Sequence, residues 1–281
     1  MKKLCTALLT FFATVPAWAA CPDDAAVARY LGEFKAATPS PGFGDIALAD
    51  APCARGKLVA ALPAVLGQRV GYKAVFTNVD SQKRFGVDGP AWGAMFAGMM
   101  LESGARLPAK FGVKPRHEPD FVVVVKDAGL ADARTPREAL AHLSALVPFI
   151  ELPDLMLDGK ITGPGLIATN AAFRGGVLGA RIPAEPTQAL ADAMASMEVV
   201  ITETRAGKEI AREKGSVLMD NPLNAAIWLA QALRRDGVEL RPGDLLSLGG
   251  FKGSMPTAPG TTIEVRYHGL PGDPAVTVHF D

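Results

Sequence analysis

The run Phe121-Val122-Val123-Val124-Val125 constrains the fold more than any other stretch of the chain. Four consecutive β-branched residues are stiff at χ1 and favour strand over helix. Apolar side chains on both faces of the pleat mark a strand that is covered on both sides, inside a sheet. Such a strand needs a large core, and a hydrophobic content of 49% over 281 residues supplies one. Just before the run, Glu118-Pro119-Asp120 places two carboxylates two positions apart. In a strand these project from one face. Two carboxylates so held repel each other unless a cation or a proton lies between them. Pro119 cannot donate to a ladder, which suits a strand edge or bulge. Glu151 follows another short apolar stretch, Phe149-Ile150, and is a third oxygen donor. Three hard oxygen ligands without a His or Cys pattern favour Mg²⁺ or Mn²⁺ over Zn²⁺. On spacing alone, acidic residues at strand ends are more commonly just solvated.

The N-terminus reads as an export signal. Lys2 and Lys3 precede the apolar run Leu4 to Val15, and Ala17-Trp18-Ala19 forms a small-residue cleavage site. The run is shorter than the roughly 20 residues of a membrane span. No later stretch is apolar enough to cross a bilayer, so no membrane span is expected. A periplasmic or secreted location follows as the expectation. Cys21 also stands where a bacterial lipoprotein is acylated, a second possibility that Trp18 fits poorly. With Cys5 removed in the signal, Cys21 and Cys53 form an even pair that fits one disulfide in an oxidising compartment. Two free thiols are the alternative. Lys+Arg and Asp+Glu are 29 each, and no basic patch stands out, so nucleic acid is not an expected partner.

Along the chain, Asp23 or Asp24 caps a helix to about Ala37, and Arg55 to Leu62 forms a second. Val70 to Phe76 reads as a strand. Thr135-Pro136-Arg137-Glu138 is a capping box opening a helix to about Val147, ended by Pro148. Asn221-Pro222 caps a helix from Leu223 to Arg235. Short strands are expected near Ile161 to Thr169, Val177 to Arg181, Glu198 to Thr204, Asp244 to Leu248 and Thr262 to Tyr267. Frequent Gly and Pro between them indicate a β-rich α+β fold. Met95, Met99 and Met100 fall at helical spacing and are read as core.

Several segments occur in an order that carries a resemblance. They are Gly71-Tyr72-Lys73-Ala74 with Thr77, Phe85-Gly86-Val87-Asp88-Gly89-Pro90, and Pro115-Arg116-His117-Glu118-Pro119-Asp120. Ile150-Glu151, Asn170 to Gly179, Leu223 to Leu229, and Leu240 to Asp244 continue it. Together they resemble the 2-keto-4-pentenoate hydratase and 4-oxalocrotonate decarboxylase branch of the fumarylacetoacetate hydrolase superfamily, over most of the chain past the signal. The resemblance implies a mixed-sheet core of the fumarylacetoacetate hydrolase type with a small helical N-terminal region. The expected division is a signal peptide at 1–19, a helical cap at 20–85 and a catalytic domain at 86–281. It also implies Mg²⁺ or Mn²⁺ held by Glu118, Asp120 and Glu151, Lys73 as a catalytic residue and Asn170 as a substrate contact. A homo-oligomer and a small 2-oxo or 2-hydroxy carboxylic acid substrate are implied as well. The expected reaction is water addition to a 2-hydroxy-2,4-dienoate through an enolate held by the metal. A decarboxylase, a C–C hydrolase of a related 2-oxo acid and a non-catalytic periplasmic carboxylate binder are the alternatives.

Some positions depart from the pattern. Asp120 replaces a Glu, Val75 replaces a second Gly, and Ala172 stands where Ser is common. Thr169 takes the place of an Asp, Asn221 of a His, and Leu248 of a Thr. Most of these changes remove or alter a polar group beside the expected metal platform, which fits an altered substrate or reduced activity. His117 alternates with Glu118 and is expected to face away. The cluster Gly175-Gly176-x-x-Gly179 is not a dinucleotide fingerprint, because no βαβ unit surrounds it.

Overall fold

The computed structural model describes residues 21–281. The expected signal segment, residues 1–19, lies outside the described residues. Three helices open the fold: α1 (Asp24–Ala36), α2 (Ala51–Ala61) and α3 (Pro63–Leu66). Then follow β1 (Arg69–Val75), α4 (Val79–Phe85), β2 (Ala91–Phe96), β3 (Met100–Glu102), β4 (Ala105–Leu107) and β5 (Arg116–Val125). The middle of the chain forms α5 (Pro136–Ala141), β6 (Leu143–Pro153), α6 (Gly163–Ala168), β7 (Phe173–Leu178), β8 (Ile182–Pro183) and α7 (Gln188–Ser196). The rest forms β9 (Glu198–Glu203), β10 (Lys208–Lys214), α8 (Pro222–Arg235), β11 (Leu245–Ser247), β12 (Met255–Pro256), β13 (Thr261–His268) and β14 (Ala275–Phe280).

These strands form two mixed sheets. The larger runs β2-β1-β11-β5-β6-β7-β3, with β12 beside β5 and β8 beside β6. The smaller runs β10-β9-β13-β14-β4. The valine run is the interior of β5, between β11 and β6, and Val122 to Val125 are at most 2% exposed. The two sheets meet where Tyr267 of β13 packs edge-on against Phe121 of β5, ring centroids 5.1 Å apart. Helix α8 lies against β1 and β11 with nine of its residues buried, Leu223, Ile227 and Leu233 among them.

Local sequence accounts for the helix ends. Asp23 accepts from Ala26 N at 2.7 Å, Thr135 from Glu138 N at 3.2 Å, and Asn221 from Leu223 N at 2.9 Å. Cys21 and Cys53 are joined in a disulfide that ties the start of α1 to α2. No helix among the described residues is long and apolar enough to cross a membrane.

Three expectations are corrected. The helix opened at Thr135 stops at Ala141, not near Val147, because residues 143–151 pair with β5. The stretch expected as a strand near Ile161 to Thr169 is instead helix α6, capped by Thr162 and begun by Gly163-Pro164. Met95, Met99 and Met100 are not helical neighbours: Met95 lies in β2, Met99 in a 3₁₀ turn and Met100 in β3. Met95 and Met99 are buried as expected. Within residues 21–85, helices α1 to α3, with a loop between α1 and α2, are followed by β1, which enters the large sheet between β2 and β11.

Candidate active site

The sheet order brings the acidic residues together. Glu118 of β5 and Glu151 of β6 are directly opposed Cα partners, and Asp120 lies on the Glu118 face two residues along. Lys73 of β1 is opposite Ser247 of β11, whose other neighbour is β5. Pro119 fits within β5 because β11 has ended there. Its carbonyl accepts from Phe251 N at 2.9 Å, so its nitrogen faces the loop after β11.

Lys73 is 3% exposed, and its ammonium donates to Glu151 Oε1 and to the Ala171 carbonyl, 3.4 Å away. Glu118 is half-buried and lies over Gly250, where a Cβ would come within 1.8 Å of its Oε1. Asp120 is fully buried and its oxygens are already engaged. Oδ2 accepts from the Ser247 hydroxyl at 2.6 Å; Oδ1 accepts from Gly249 N at 3.0 Å and from Phe121 N at 2.5 Å.

Burial in company sets the titration of this cluster. Loss of hydration pushes Glu118 well above the ordinary carboxylate range; Glu151 and Asp120 add repulsion that Lys73 partly offsets. Burial also raises Glu151, against the pull of Lys73. Asp120 is pushed up to about 7 by burial and by Glu151, restrained by the Ser247 hydrogen bond.

Glu118, Glu151 and Lys73 face a cavity of about 630 Å³, within the range that suits a small ligand. Phe85, Leu155 and Leu166 supply apolar wall. Asp120 is beside this cavity rather than on its surface. Among the described residues no three His, Cys, Asp or Glu side chains converge on a common point. The chemistry of the donors still fits a hard divalent cation. Three carboxylates, two of them fully buried, gather around a single ammonium, every donor is oxygen, and the charge excess is the one a cation relieves. Glu118 and Glu151 present their carboxylates to the cavity, and Asp120 stands behind them on the same face.

Asn170, expected as a substrate contact, is engaged within the fold and is not among the residues that line the cavity. Its side chain is 3% exposed and both ends of its amide are spent on β2: Oδ1 accepts from Ala94 N at 2.7 Å, and Nδ2 donates to Ala94 O at 2.9 Å. His117 faces away from the cavity, as alternation requires. It packs against Phe280 at 5.8 Å, and burial lowers its pKa to about 4.

Two residues escaped sequence reasoning. Ser247 holds Asp120 from β11. Tyr267, fully buried, donates its hydroxyl to the carbonyls of Asp120 and of Phe149, 3.1 Å away in the second case. It thereby pins the two acidic strands from the other sheet. A Tyr on the buried face of an alternating strand signals a hydroxyl that needs a partner, but the partner is far away in sequence.

Comparison with known proteins decides the family. The chain is 31% identical to a 2-keto-4-pentenoate hydratase of Burkholderia vietnamiensis (strain G4 / LMG 22486) over 185 residues, 65% of this chain and 68% of that protein. The chain belongs to the fumarylacetoacetate hydrolase superfamily, in its 2-keto-4-pentenoate hydratase and 4-oxalocrotonate decarboxylase branch. Within that branch, the fold is similar to a 4-oxalocrotonate decarboxylase from Pseudomonas putida G7 complexed with magnesium and adipate. The TM-score is 0.79 at 21% identity, covering 92% of this chain and 96% of that one. A fumarylpyruvate hydrolase from Pseudomonas aeruginosa, in complex with Mn²⁺ and pyruvate, has a less similar fold. Its TM-score is 0.54 at 16% identity, covering 76% and 90%. No family model matches the chain.

Proposed function

We propose that the protein is a divalent-metal-dependent hydro-lyase that adds water to a 2-hydroxy-2,4-dienoate of the 2-keto-4-pentenoate type. The observation that carries this reading is one cavity wall on which Glu118, Glu151 and Lys73 meet. Similarity to 2-keto-4-pentenoate hydratases over most of the chain supports it.

When bound, Mg²⁺ or Mn²⁺ would supply Lewis-acid polarisation of the 2-oxo-carboxylate end. Glu118 and Glu151 would hold the ion, with Asp120 fixed behind them. Hydration adds a proton at C5 and at C3 and a hydroxyl at C4, while the 2-hydroxyl proton leaves. Lys73 Nζ, buried against Glu151, is the group on this wall that can carry a proton between these positions. The apolar wall of Phe85, Leu155 and Leu166 suits the hydrocarbon tail and limits water around it. The test is loss of the ultraviolet absorbance of 2-hydroxypenta-2,4-dienoate with Mg²⁺, with Mn²⁺ and with chelator. Metal-dependent loss giving the 4-hydroxy-2-oxo acid, abolished in Glu118→Ala, supports the reading; no loss with metal bound overturns it.

A decarboxylase reading has its own support. Arg84 lines the same cavity and makes no ion pair among the described residues, which suits a second carboxylate on the substrate. Release of CO₂ from 4-oxalocrotonate without hydration of the monoacid would favour it.

We also propose that the protein works outside the cytoplasm, periplasmic or secreted. The signal-like residues Lys2 to Ala19 and the Cys21–Cys53 disulfide support this. A sulfur committed to that bond is not free for lipid attachment. Two free thiols in the exported protein, or its recovery only from the cytoplasm, would refute the proposal.

A further inference from the structure

Three consecutive residues with side chains, Asn170, Ala171 and Ala172, adopt left-handed backbone, with φ of 60°, 58° and 57°. Residues with a Cβ visit this region rarely and seldom in succession. Strain of this kind persists only where the surroundings over-determine it. Here the surroundings are identifiable. The Asn170 amide closes two hydrogen bonds on one residue of β2, Ala94, at 2.7 and 2.9 Å. A Cβ at position 93 would stand 3.0 Å from both Asn170 O and Oδ1, so glycine there permits the close approach. At the far end, Asp154 N donates to Ala172 O at 2.9 Å, and Phe173 N closes the turn on Asn170 O.

The product of this arrangement faces the active site. Ala171 and Ala172 line the cavity, and the Ala171 carbonyl accepts from Lys73 Nζ at 3.4 Å. Among the described residues, the other acceptor of that ammonium is the Glu151 carboxylate. The Ala171 carbonyl therefore fixes the second direction of the ammonium.

We infer that Asn170 is a positioning residue for Lys73: its clamp on Ala94 holds residues 170–172 in the left-handed turn that aims the Ala171 carbonyl at the ammonium. The inference rests on the reading of Lys73 as the proton-carrying group. It assigns Asn170 a role in kcat without contact to substrate or metal.

The experiment compares Asn170→Ala, Asn170→Asp and Asn170→Ala combined with Ala171→Gly and Ala172→Gly. Glycine adopts the left-handed region without strain, so it removes the need for the clamp. In dienoate hydration, Asn170→Ala is expected to lower kcat by about 30- to 100-fold, with KM held within about threefold. Mn²⁺ affinity should stay as in the wild type. Asn170→Asp keeps the acceptor for Ala94 N and loses the donor, so its loss should be smaller. The two glycines should restore about tenfold of the lost rate. In parallel, the Lys73 Cε–Hε cross-peaks are followed by NMR. The two Hε protons should be inequivalent in the wild type, merge in Asn170→Ala and separate again with the glycines. A rise in KM at unchanged kcat, loss of Mn²⁺ binding, or failure of the glycines to rescue would overturn the inference. If the wild type hydrates no dienoate, the proposed reaction fails while the NMR comparison still decides the role of Asn170. Cross-peaks that do not change in Asn170→Ala would sink it.

Discussion

Glu118 and Glu151 are opposed Cα partners on adjacent strands, yet the ammonium of Lys73 pairs with Glu151 alone. The charge on Glu118 is left for another cation to balance. Glu118→Gln is therefore expected to weaken Mn²⁺ binding by about 100-fold or more, as removal of a direct ligand should exceed the effect of an outer one. It should also raise the melting temperature of the metal-free protein, because a neutral amide relieves repulsion from Glu151 and Asp120. Titration calorimetry and a thermal melt in chelator check the two halves. Unchanged Mn²⁺ affinity would remove Glu118 from the metal site.

Lys73→Met tests the other side of the pair. Leaving one partner of a buried ion pair alone costs about 3–5 kcal/mol. Burial raises the pKa of Glu151, so the orphaned carboxyl escapes part of that cost by taking a proton. Urea unfolding of the metal-free variant should show a loss near that size at pH 8 and a smaller one at pH 5. Dienoate turnover should fall by about 10²- to 10⁴-fold. A variant with full turnover would exclude Lys73 from proton transfer.

His117 gives a pH signature of its own. Burial keeps its imidazole neutral down to about pH 4, whereas the unfolded chain protonates near 6.5. Between these values the unfolded state binds the extra proton, so stability falls as the pH is lowered through that window, by about 3 kcal/mol in all. Above pH 6.5 the residue contributes no dependence. Asp120 acts in the opposite sense: it is raised to about 7, so it favours the folded metal-free state at low pH and loses that contribution as pH rises through 7. The His117→Gln difference isolates the first effect. Relative to that variant, the wild type should lose about 3 kcal/mol as pH falls from 6.5 to 4, and a difference that does not change with pH would contradict the assignment.

The Cys21–Cys53 disulfide closes a segment with a sequence separation of 32. Replacing both cysteines by serine should cost about 3 to 4 kcal/mol if loop-closure entropy dominates. Equilibrium denaturation measures it, with the same loss expected on adding reductant to the wild type. No change with reductant would show that the bond is not formed in the purified protein.

Where local chemistry decides, the sequence was readable. The valines of β5 are buried on both faces as their run required, and Asp23, Thr135 and Asn221 cap the helices they were expected to open. The spacing of Glu118 and Asp120 placed them on one face. What failed depended on distant partners. Ser144 to Val147 followed a good helix start but is strand, because β5 offers it a full ladder. Asn170 was legible as a residue of interest, but not the direction of its amide, which is set by Ala94, 76 positions earlier. Asp120 was legible as a carboxylate of the site, but not the Ser247 hydroxyl that engages it from β11.

That last contact spans 127 positions of sequence, and it sets an order of events. A chain emerging N-terminus first can pair β5 with its neighbour β6 early, and so bring Glu118 opposite Glu151. The strand that separates β1 from β5 emerges only near the end of synthesis. Until then Lys73 has no fixed place beside Glu151, and Asp120 lacks its hydroxyl partner. The acidic strand pair thus stays an open, uncompensated patch from the completion of β6 until β11 is made. The site is completed only at closure, when β11 slots between strands that were made long before it.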